Sequence, residues 1–322
     1  MTHLARVVAA LFCVVMAAGA LAQGYPNRPV RIVVPFPPGG PVDIIGRAVA
    51  ARLAESLGQP VRVENRAGAN TIIGGEFVAN AAPDGYTLLF TANVTVAINP
   101  LLYSKLPYSA ADFTPVTMVA SVIEFLMVNA DVPANTLLEL ILLAKSRPGQ
   151  LNYGSYGPGS NGHLEGEAFK AATGTDIVHV PFKGAAEAIP ALVSNQVQMV
   201  FTSPSAAIQH IQTGRVKALA AQSTERFALL PNVPTFAEAG LAGFDSKPWF
   251  GFLAPAKTPS DIVRRLATDI ARIAASPEFH ERLIKGFSLD AATPGPEAMA
   301  AVMSAEREYY ARISAIAKIK LD

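Results

Sequence analysis

Cysteine is almost absent from this 322-residue sequence, since the single one, Cys13, lies in an apolar N-terminal stretch. An intrachain disulfide is therefore excluded, and a chain without that stretch would have no cysteine nucleophile. Charged residues make up 16% of the sequence, the formal net charge is +1, and no lysine or arginine cluster occurs. This balance predicts neither a nucleic-acid partner nor attachment to an anionic membrane surface.

The start of the chain is typical of an export signal. A weakly basic beginning and an apolar run at 7–16 precede an A-x-A cleavage pattern that ends at Ala22. The run is short for a bilayer span, which favours cleavage over an uncleaved anchor. Phe12 precedes Cys13 where a lipoprotein signal has a small residue, which argues against lipidation. We predict a signal peptide over 1–22, a periplasmic location and no later membrane span.

Beyond this segment, β-branched runs alternate with amphipathic helical patterns. One such pattern places Ile45, Val49 and Leu53 on one face of a helix and ends at Gly58. Strands separated by helices, in two such blocks, predict an α/β fold with parallel sheets and helices on both faces. The predicted strands are 30–34, 61–63, 87–90, 122–128, 151–153, 177–180, 197–201, 216–221 and 249–254, and further helices are predicted at 76–82, after 259, after 276 and from 296 onward.

Gly157, Gly159 and Gly162 form a G-x-G-x-x-G pattern between a predicted strand and a predicted helix. Such a turn suits the phosphates of a dinucleotide, and any other small anion equally well. A dinucleotide fold needs an acid at the end of the following strand, and here that strand runs out at Lys183 without one. A nucleophile elbow, G-x-S-x-G, is also absent from this turn. A small anion other than a dinucleotide is therefore favoured.

His163 and Glu167 lie one helical turn apart, a spacing that metal ligands also use. No H-x-x-x-H pattern links the remaining histidines, so a ring that hydrogen-bonds a turn is the simpler interpretation. We predict neither a metal site nor a cofactor.

Two turns rich in glycine and proline run from a strand into a helix, one in each αβ block. The first turn is 37–43 and the second turn is 156–163. Each offers backbone N–H groups at the positive end of a helix, and the glycines let a ligand approach closely. Glycine and proline are common in any βα turn, but one such turn in each block favours a carboxylate held between two domains.

Eight pieces of sequence carry a resemblance that runs from Tyr25 to the C-terminus. They read YPNRPVRIVVPFPPGGPVDIIGR, VENRAGAN, APDGYTLLF, INPLLY, LNYGSYGPGSNGHL, VPFKGAAEAIPAL, LPNVPTFAEAGLAGF and WFGFLAPAKTP. In this order and spacing they resemble the Bug-type (TctC-like) periplasmic solute receptors of the tripartite tricarboxylate transporter family. The resemblance implies a two-domain α/β fold of the type II periplasmic-binding-protein (Venus-flytrap) kind. It also implies two mixed, mostly parallel sheets flanked by helices, with the ligand in the interdomain cleft.

The resemblance further implies where the domains and the ligand site lie. Domain 1 would comprise 23–124 plus 248–322, and domain 2 would comprise 125–247. Asp43 is expected to cap its helix rather than to touch an anion, since two negative charges repel each other. The ligand-binding residues that it implies are Phe36, Gly39, Gly40, Asp43, Thr91, Asn93, Ser155, Gly157, Gly159, Ser160, His163 and Thr202.

One departure from the family pattern bears on the ligand. Many relatives carry an aspartate after the strand that ends near Phe201, where it can bind an ammonium group, and this chain has Thr202. We therefore expect a dicarboxylate, tricarboxylate or aromatic acid without an amino group. An aromatic acid could also stack on Phe36, Tyr156 or Trp249, although the expected role of these side chains is core packing. Lys247 is expected to be a solvated loop residue.

The resemblance implies a monomeric receptor without catalytic activity. Its partners would be a small carboxylate and the membrane subunits of a tripartite tricarboxylate transporter, or a sensing system. The alternative is an enzyme that acts on a small carboxylic acid on the same two-lobed scaffold.

Overall fold

The structure is a computed structural model that describes residues 24–244 and 246–321. The predicted signal peptide, 1–22, lies outside the described residues. In chain order the strands and α-helices are β1 (Val30–Val34), α1 (Pro41–Leu57), β2 (Val61–Asn65), α2 (Ile72–Ala79), β3 (Thr87–Ala92), α3 (Asn99–Leu102), β4 (Phe113–Ser121), β5 (Glu124–Asn129), α4 (Leu137–Ser146), β6 (Asn152–Ser155), α5 (Asn161–Thr173), β7 (Val178–Pro181), α6 (Ala185–Val193), β8 (Met199–Thr202), α7 (Ile208–Gln212), β9 (Val216–Gln222), β10 (Trp249–Pro255), α8 (Ser260–Ala274), α9 (Pro277–Phe279), β11 (Asp290–Ala291) and α10 (Pro296–Ala317). Short π-helical turns occupy Val94–Ile98 and His280–Ile284.

The strands form two mixed sheets. The first has the order β11-β4-β10-β3-β1-β2 and the second has the order β7-β6-β8-β5-β9. Parallel pairing holds within β2-β1-β3 and within β7-β6-β8, where helices connect successive strands. The strands β10, β4, β11 and β5 pair antiparallel with their neighbours. The parallel arrangement that alternation predicts is therefore confined to these two blocks.

Side chains of the first sheet alternate between two hydrophobic cores. Ile32 packs among the residues of α1 and α8, whereas Val33 packs on the opposite face with Val78 of α2 and Met299 of α10. Alternation along a strand sends successive side chains to opposite faces, so a strand that is buried on both sides reads as a continuous apolar run. This is why the first strand is recognisable in the sequence.

The helix α1 positions the first turn. Its N-cap is Gly40, and Pro41 occupies the first helical position, where no N–H is needed. Its buried face includes Ile45, Val49 and Leu53, as their spacing predicts, and the helix ends at Gly58 in a left-handed conformation with φ 65°.

The chain crosses twice between the two sheets. It passes from β4 to β5 between Ser121 and Glu124, and it returns from β9 to β10 between Gln222 and Trp249. The C-terminal helix α10 packs on β4 of the first sheet and on α5 beside the second sheet. The predicted domain boundaries at 124/125 and 247/248 lie close to these crossings and remain a prediction. Within 24–244 and 246–321, no helix is both long and apolar enough to span a bilayer.

Several elements differ from the sequence-based expectation, among them the unpredicted strands β4 and β11, the unpredicted helix α4 and the shifted helix α2. Strand β4 was not predicted, because Pro115 interrupts its β-branched pattern. The pairing with β10 accommodates this proline at an irregularity, where the register shifts between Phe252 and Leu253. Helix α2 covers Ile72–Ala79 instead of the predicted 76–82, since it begins before the pair Gly74 and Gly75 that made its start appear unstructured.

Candidate functional site

The first turn is fastened to α1 through Asp43. The buried Asp43 carboxylate accepts hydrogen bonds from the Gly39 N–H (2.9 Å), from Arg47 Nε (2.9 Å) and from Asn65 Nδ2 (2.8 Å). Burial raises the pKa of Asp43, but these hydrogen bonds outweigh burial and hold it below its usual value. Asn65 also donates to the Phe36 carbonyl at 3.1 Å. The charge on Asp43 therefore stabilises the turn, and the Gly39 N–H is engaged within the protein.

The second turn is fastened to α5 in a similar way. Ser160 caps the helix, because its hydroxyl accepts from the His163 N–H at 3.4 Å while it donates to the Gly157 carbonyl at 2.7 Å. Gly159, with φ 78°, donates its N–H to His163 Nδ1 at 3.1 Å. His163 thus hydrogen-bonds the turn, which is the simpler of its two interpretations. No group of three potential metal-ligating side chains occurs in the part of the chain that the structure describes.

The second turn lies directly against loops that follow strands of the first sheet. A Cβ atom added to Gly159 would stand 3.1 Å from Asn70 Nδ2 and 2.6 Å from a Leu321 methyl group. Asn70 has a left-handed φ of 50° and exchanges hydrogen bonds with Asn99 at 2.8 and 2.7 Å. A close approach of this kind requires glycine at position 159. The loop opposite, strained at Asn70, is held by the hydrogen bonds between Asn70 and Asn99.

A hydrogen bond from Asn161 Nδ2 to Asn93 Oδ1 (3.3 Å) joins the start of α5 to the end of β3. Thr91, which was predicted to follow this strand, lies within β3, and its buried hydroxyl faces inward and bonds Thr95 at 2.6 Å. Asn93 was among the predicted site residues, whereas Asn70 and Asn161 were missed. Each of the missed residues lies in a quoted sequence piece, but nothing in the sequence indicates that the pieces meet.

Thr202 ends β8 next to the second turn, and its hydroxyl is hydrogen-bonded to the Tyr156 hydroxyl. The pKa of Tyr156 is raised to about 12, mainly by burial. The hydrogen bond with Thr202 lowers this pKa, and the charge of Glu124 raises it further. Tyr156 is therefore a neutral hydroxyl at physiological pH. Ser155 is buried beside it and bonds His179 Nε2 at 2.7 Å.

Three buried glutamates lie where the two sheets are joined. Glu124 begins β5, Glu165 accepts from the Tyr309 hydroxyl at 3.0 Å, and Glu306 accepts from Asn93 Nδ2 at 3.1 Å. Burial raises the pKa of Glu124 to about 8, with the charge of Glu165 adding to it, and burial raises the pKa of Glu306 well above its usual value. These acids were not predicted, although a glutamate inside the apolar run 122–128 is a visible signal.

Two further side chains are placed outside the turns. Trp249 is fully buried in the core between the first sheet and α10, so it packs in the core as expected and cannot stack on a ligand ring. Lys247 is exposed, as expected of a solvated loop residue. Burial raises the pKa of the nearby Asp290, and the charge of Lys247 partly opposes this rise.

The chain crosses twice between two helix-flanked sheets, and a glycine turn beside one sheet meets the loops of the other. This is the arrangement of two-lobed solute-binding receptors. The chain belongs to the TctC family, the receptors of the tripartite tricarboxylate transporter family, whose family model matches residues 45–316. It is 37% identical to Protein BugT of Bordetella pertussis over 281 residues, which cover 87% of this chain and 85% of BugT.

Two solved structures of Rhodopseudomonas palustris proteins are similar along nearly the whole chain. Rpa4515 with adipate is 34% identical with a TM-score of 0.81, and the match covers 92% of this chain and 99% of that one. MatC with bound malate is 31% identical with a TM-score of 0.78, and the match covers 90% of this chain and 99% of that one. These neighbours share the two-sheet α/β fold.

Proposed function

We propose that this protein is a periplasmic receptor, exported by a cleaved signal peptide, that captures a small carboxylate without an amino group. The ligand would be a dicarboxylate, a tricarboxylate or an aromatic acid. The receptor would pass it to the membrane subunits of a tripartite tricarboxylate transporter or to a sensing system. The structural neighbours solved with adipate and with bound malate support the dicarboxylate class, since both compounds carry two carboxylates and no amine.

The observation that carries this proposal is the hydroxyl pair of Tyr156 and Thr202 at the end of β8. Both groups are neutral, so they can hydrogen-bond a carboxylate but cannot neutralise an ammonium group. An ammonium buried without an ionised partner costs several kcal/mol. Glu187, the acid that could replace the missing aspartate, is exposed and accepts the Lys183 N–H at 3.1 Å.

The beginning of α1 supports binding of an anion from the opposite side. Its N-cap is Gly40, which has no side chain to accept the first N–H groups of the helix. An external carboxylate can accept those N–H groups and interact favourably with the positive end of the helix dipole. Phe36, only half-buried beside this turn, offers an apolar contact for the rest of the ligand.

A thermal-shift panel tests the ligand class. Adipate, malate, citrate and 3-phenylpropionate are compared with aspartate, glutamate and phenylalanine. At about a hundredfold excess over Kd, the best acid should raise Tm by roughly 2–5 °C, because ligand that binds only the folded state stabilises it by mass action. Mass spectrometry of ligand retained on the purified protein identifies the natural compound. The ligand class is wrong if an amino acid gives the largest shift.

In that event Glu124 is the acid to examine, because it is buried and its charge acts on Tyr156. The variant Glu124→Gln would then lose the preference for the amino acid. If Glu124→Gln keeps that preference, a different group binds the ammonium.

The alternative function, an enzyme on this scaffold, has one observation in its favour. The Ser155 hydroxyl lies 2.7 Å from His179 Nε2, a distance at which a base can activate a nucleophile. However, Ser155 is only 1% exposed, and its oxygen accepts the Gly157 N–H at 3.1 Å. We expect no turnover of a bound carboxylate or of an ester, measured by mass spectrometry over several hours. Any product whose formation requires Ser155 would favour the enzyme.

A further inference from the structure

Two histidine rings are stacked behind the second turn. The ring centroids of His163 and His179 lie 4.2 Å apart at an interplanar angle of 18°. Tyr153 of β6 also stacks on His179, with centroids 4.8 Å apart. The three aromatic rings therefore come from three consecutive elements, β6, α5 and β7.

Each histidine holds the second turn by a different route, His163 directly and His179 through Ser155 at the end of β6. His163 Nδ1 accepts the N–H of Gly159 at 3.1 Å, so this nitrogen must be unprotonated. His179 Nε2 bonds the Ser155 hydroxyl at 2.7 Å, and the same hydroxyl oxygen accepts the Gly157 N–H at 3.1 Å. Gly159, which lies against the opposite lobe, is thus held directly by His163, and Gly157 is held by His179 through the Ser155 hydroxyl.

Protonation of either ring would disturb this arrangement. A proton on Nδ1 of His163 would turn an acceptor into a donor that faces the Gly159 N–H. A proton on His179 would place a charge 4.2 Å from the neighbouring ring, and two imidazolium rings at that separation would repel each other.

The groups around the two rings leave both of them neutral. Burial lowers the pKa of His163, and burial followed by the charge of His163 lowers the pKa of His179 to about 4. The facing charges come from α5, where Glu167 and Lys170 form an ion pair at 2.8 Å and act in opposite directions. From β6, Tyr153 donates its hydroxyl to Glu167 at 2.8 Å. Glu167, the one acid in this set, therefore already has two partners, Lys170 and Tyr153.

We propose that the stacked pair His163 and His179 positions the second turn for ligand binding only while both rings are neutral, so that acidification releases the turn and the ligand. These histidines are positioning residues, since they act through Gly157, Gly159 and Ser155. The effect on ligand rests on the proposed function, whereas the release of the turn does not depend on any ligand.

The release of the turn can be measured without ligand by ¹H–¹⁵N NMR between about pH 7 and pH 4. The Gly159 amide signal of the wild type should titrate in this range, because its acceptor is lost. The double variant His163→Asn, His179→Gln replaces each ring nitrogen by an uncharged amide that can occupy a similar position. Its Gly159 signal should remain constant. A constant wild-type signal, or an equal titration in the double variant, would overturn the proposal.

The effect on binding is measured by calorimetry with adipate at pH 7 and pH 4, and each protein is compared with itself at the two pH values. Between pH 7 and pH 4 the wild type should lose at least about twofold more affinity than the double variant, because about half of the His179 rings are protonated at pH 4. Protonation of adipate is the same for both proteins and cancels in their ratio. His210→Gln, on the separate helix α7, is the control and should keep the wild-type pH profile.

Two other results are decisive. If the double variant follows the wild-type profile, the histidines do not control the turn and the proposal is wrong. If adipate and the other acids bind at neither pH, the proposed function fails, while the NMR titration of Gly159 still decides whether the histidines control the turn.

Discussion

Gly159 is the residue where the second turn meets the opposite lobe. Its φ of 78° lies in the left-handed region, and the space beside its Cα is occupied by Asn70 and Leu321. Gly174, at the end of α5, has a similar φ of 64° but has no neighbouring atom within 4 Å of an added Cβ. The two glycines therefore share a backbone requirement and differ only in the closeness of the opposite lobe.

This pair gives a prediction at the scale of one residue. Gly174→Ala should lower the free energy of unfolding by about 1 kcal/mol, the cost of a left-handed alanine. Gly159→Ala should lower it by about 2–3 kcal/mol, because neighbouring side chains must also move. Only Gly159→Ala should weaken carboxylate binding. Urea denaturation and calorimetry measure both effects, and equal results for the two variants would contradict the close approach at Gly159.

At the scale of elements, α1 holds the first turn through one buried carboxylate. Asp43 receives hydrogen bonds from the turn, from its own helix and from β2, through Gly39, Arg47 and Asn65. A side chain with these three partners ties β1, α1 and β2 together at the edge of the sheet. This network fixes the turn at Gly40, where we propose that the ligand carboxylate binds the uncapped N–H groups of α1.

Asp43→Asn should destabilise the protein by roughly 1–3 kcal/mol at pH 7, because the charge-assisted hydrogen bonds are lost. The pKa of Asp43 is lower in the folded chain than the unfolded value of 3.8, so the carboxylate stabilises the fold above that pH. As the pH falls below 3.8 the wild type loses this contribution, and the difference between wild type and variant should shrink. Thermal unfolding of both proteins at pH 7 and pH 3 measures this difference in stability. An equal difference at both pH values would show that the charge of Asp43 has no role.

At the scale of the whole molecule, the junction of the two lobes is a buried acidic region. Glu124, Glu165 and Glu306 come from β5, α5 and α10, and each is nearly or completely excluded from solvent. Burial raises the pKa of Glu124 and of Glu306, so these two carboxyl groups retain their protons at pH values where an exposed glutamate is ionised. The stability of the lobe junction therefore depends on pH.

The sign of this dependence follows from Glu124, whose pKa rises from 4.5 to about 8 on folding. Between these values the folded chain holds more protons than the unfolded chain, so stability falls as the pH rises. Glu124→Gln should reduce the loss of stability between pH 5 and pH 8.5 by roughly 2–4 kcal/mol. The exposed Glu55→Gln should leave that loss unchanged. Urea denaturation at the two pH values is the test, and a loss as large in Glu124→Gln as in the wild type would contradict it.

Much of the fold is predictable from local pattern, and the site is predictable only in part. The apolar run of β1 and the spacing of Ile45 and Val49 in α1 indicate their elements because burial repeats along the chain. Asn161, Glu165 and Glu306 carry no such pattern, because their neighbours come from distant elements that only the folded chain brings together. Glu124 is different, since an acid inside an apolar run is visible in the sequence although its partners are not. Strand β4 was missed for a different reason, since Pro115 is tolerated at a shift of register that the sequence does not show.

We expect the cleft to accept a carboxylate and to exclude an amino group. Calorimetric titration of three matched pairs tests it most directly: adipate with 2-aminoadipate, malate with aspartate, and 3-phenylpropionate with phenylalanine. In any pair that binds, the acid without the amine should bind at least about tenfold more tightly, because Thr202 and Tyr156 leave a buried ammonium without an ionised partner. An amino acid that binds as tightly as its amine-free counterpart, or more tightly, would contradict this expectation.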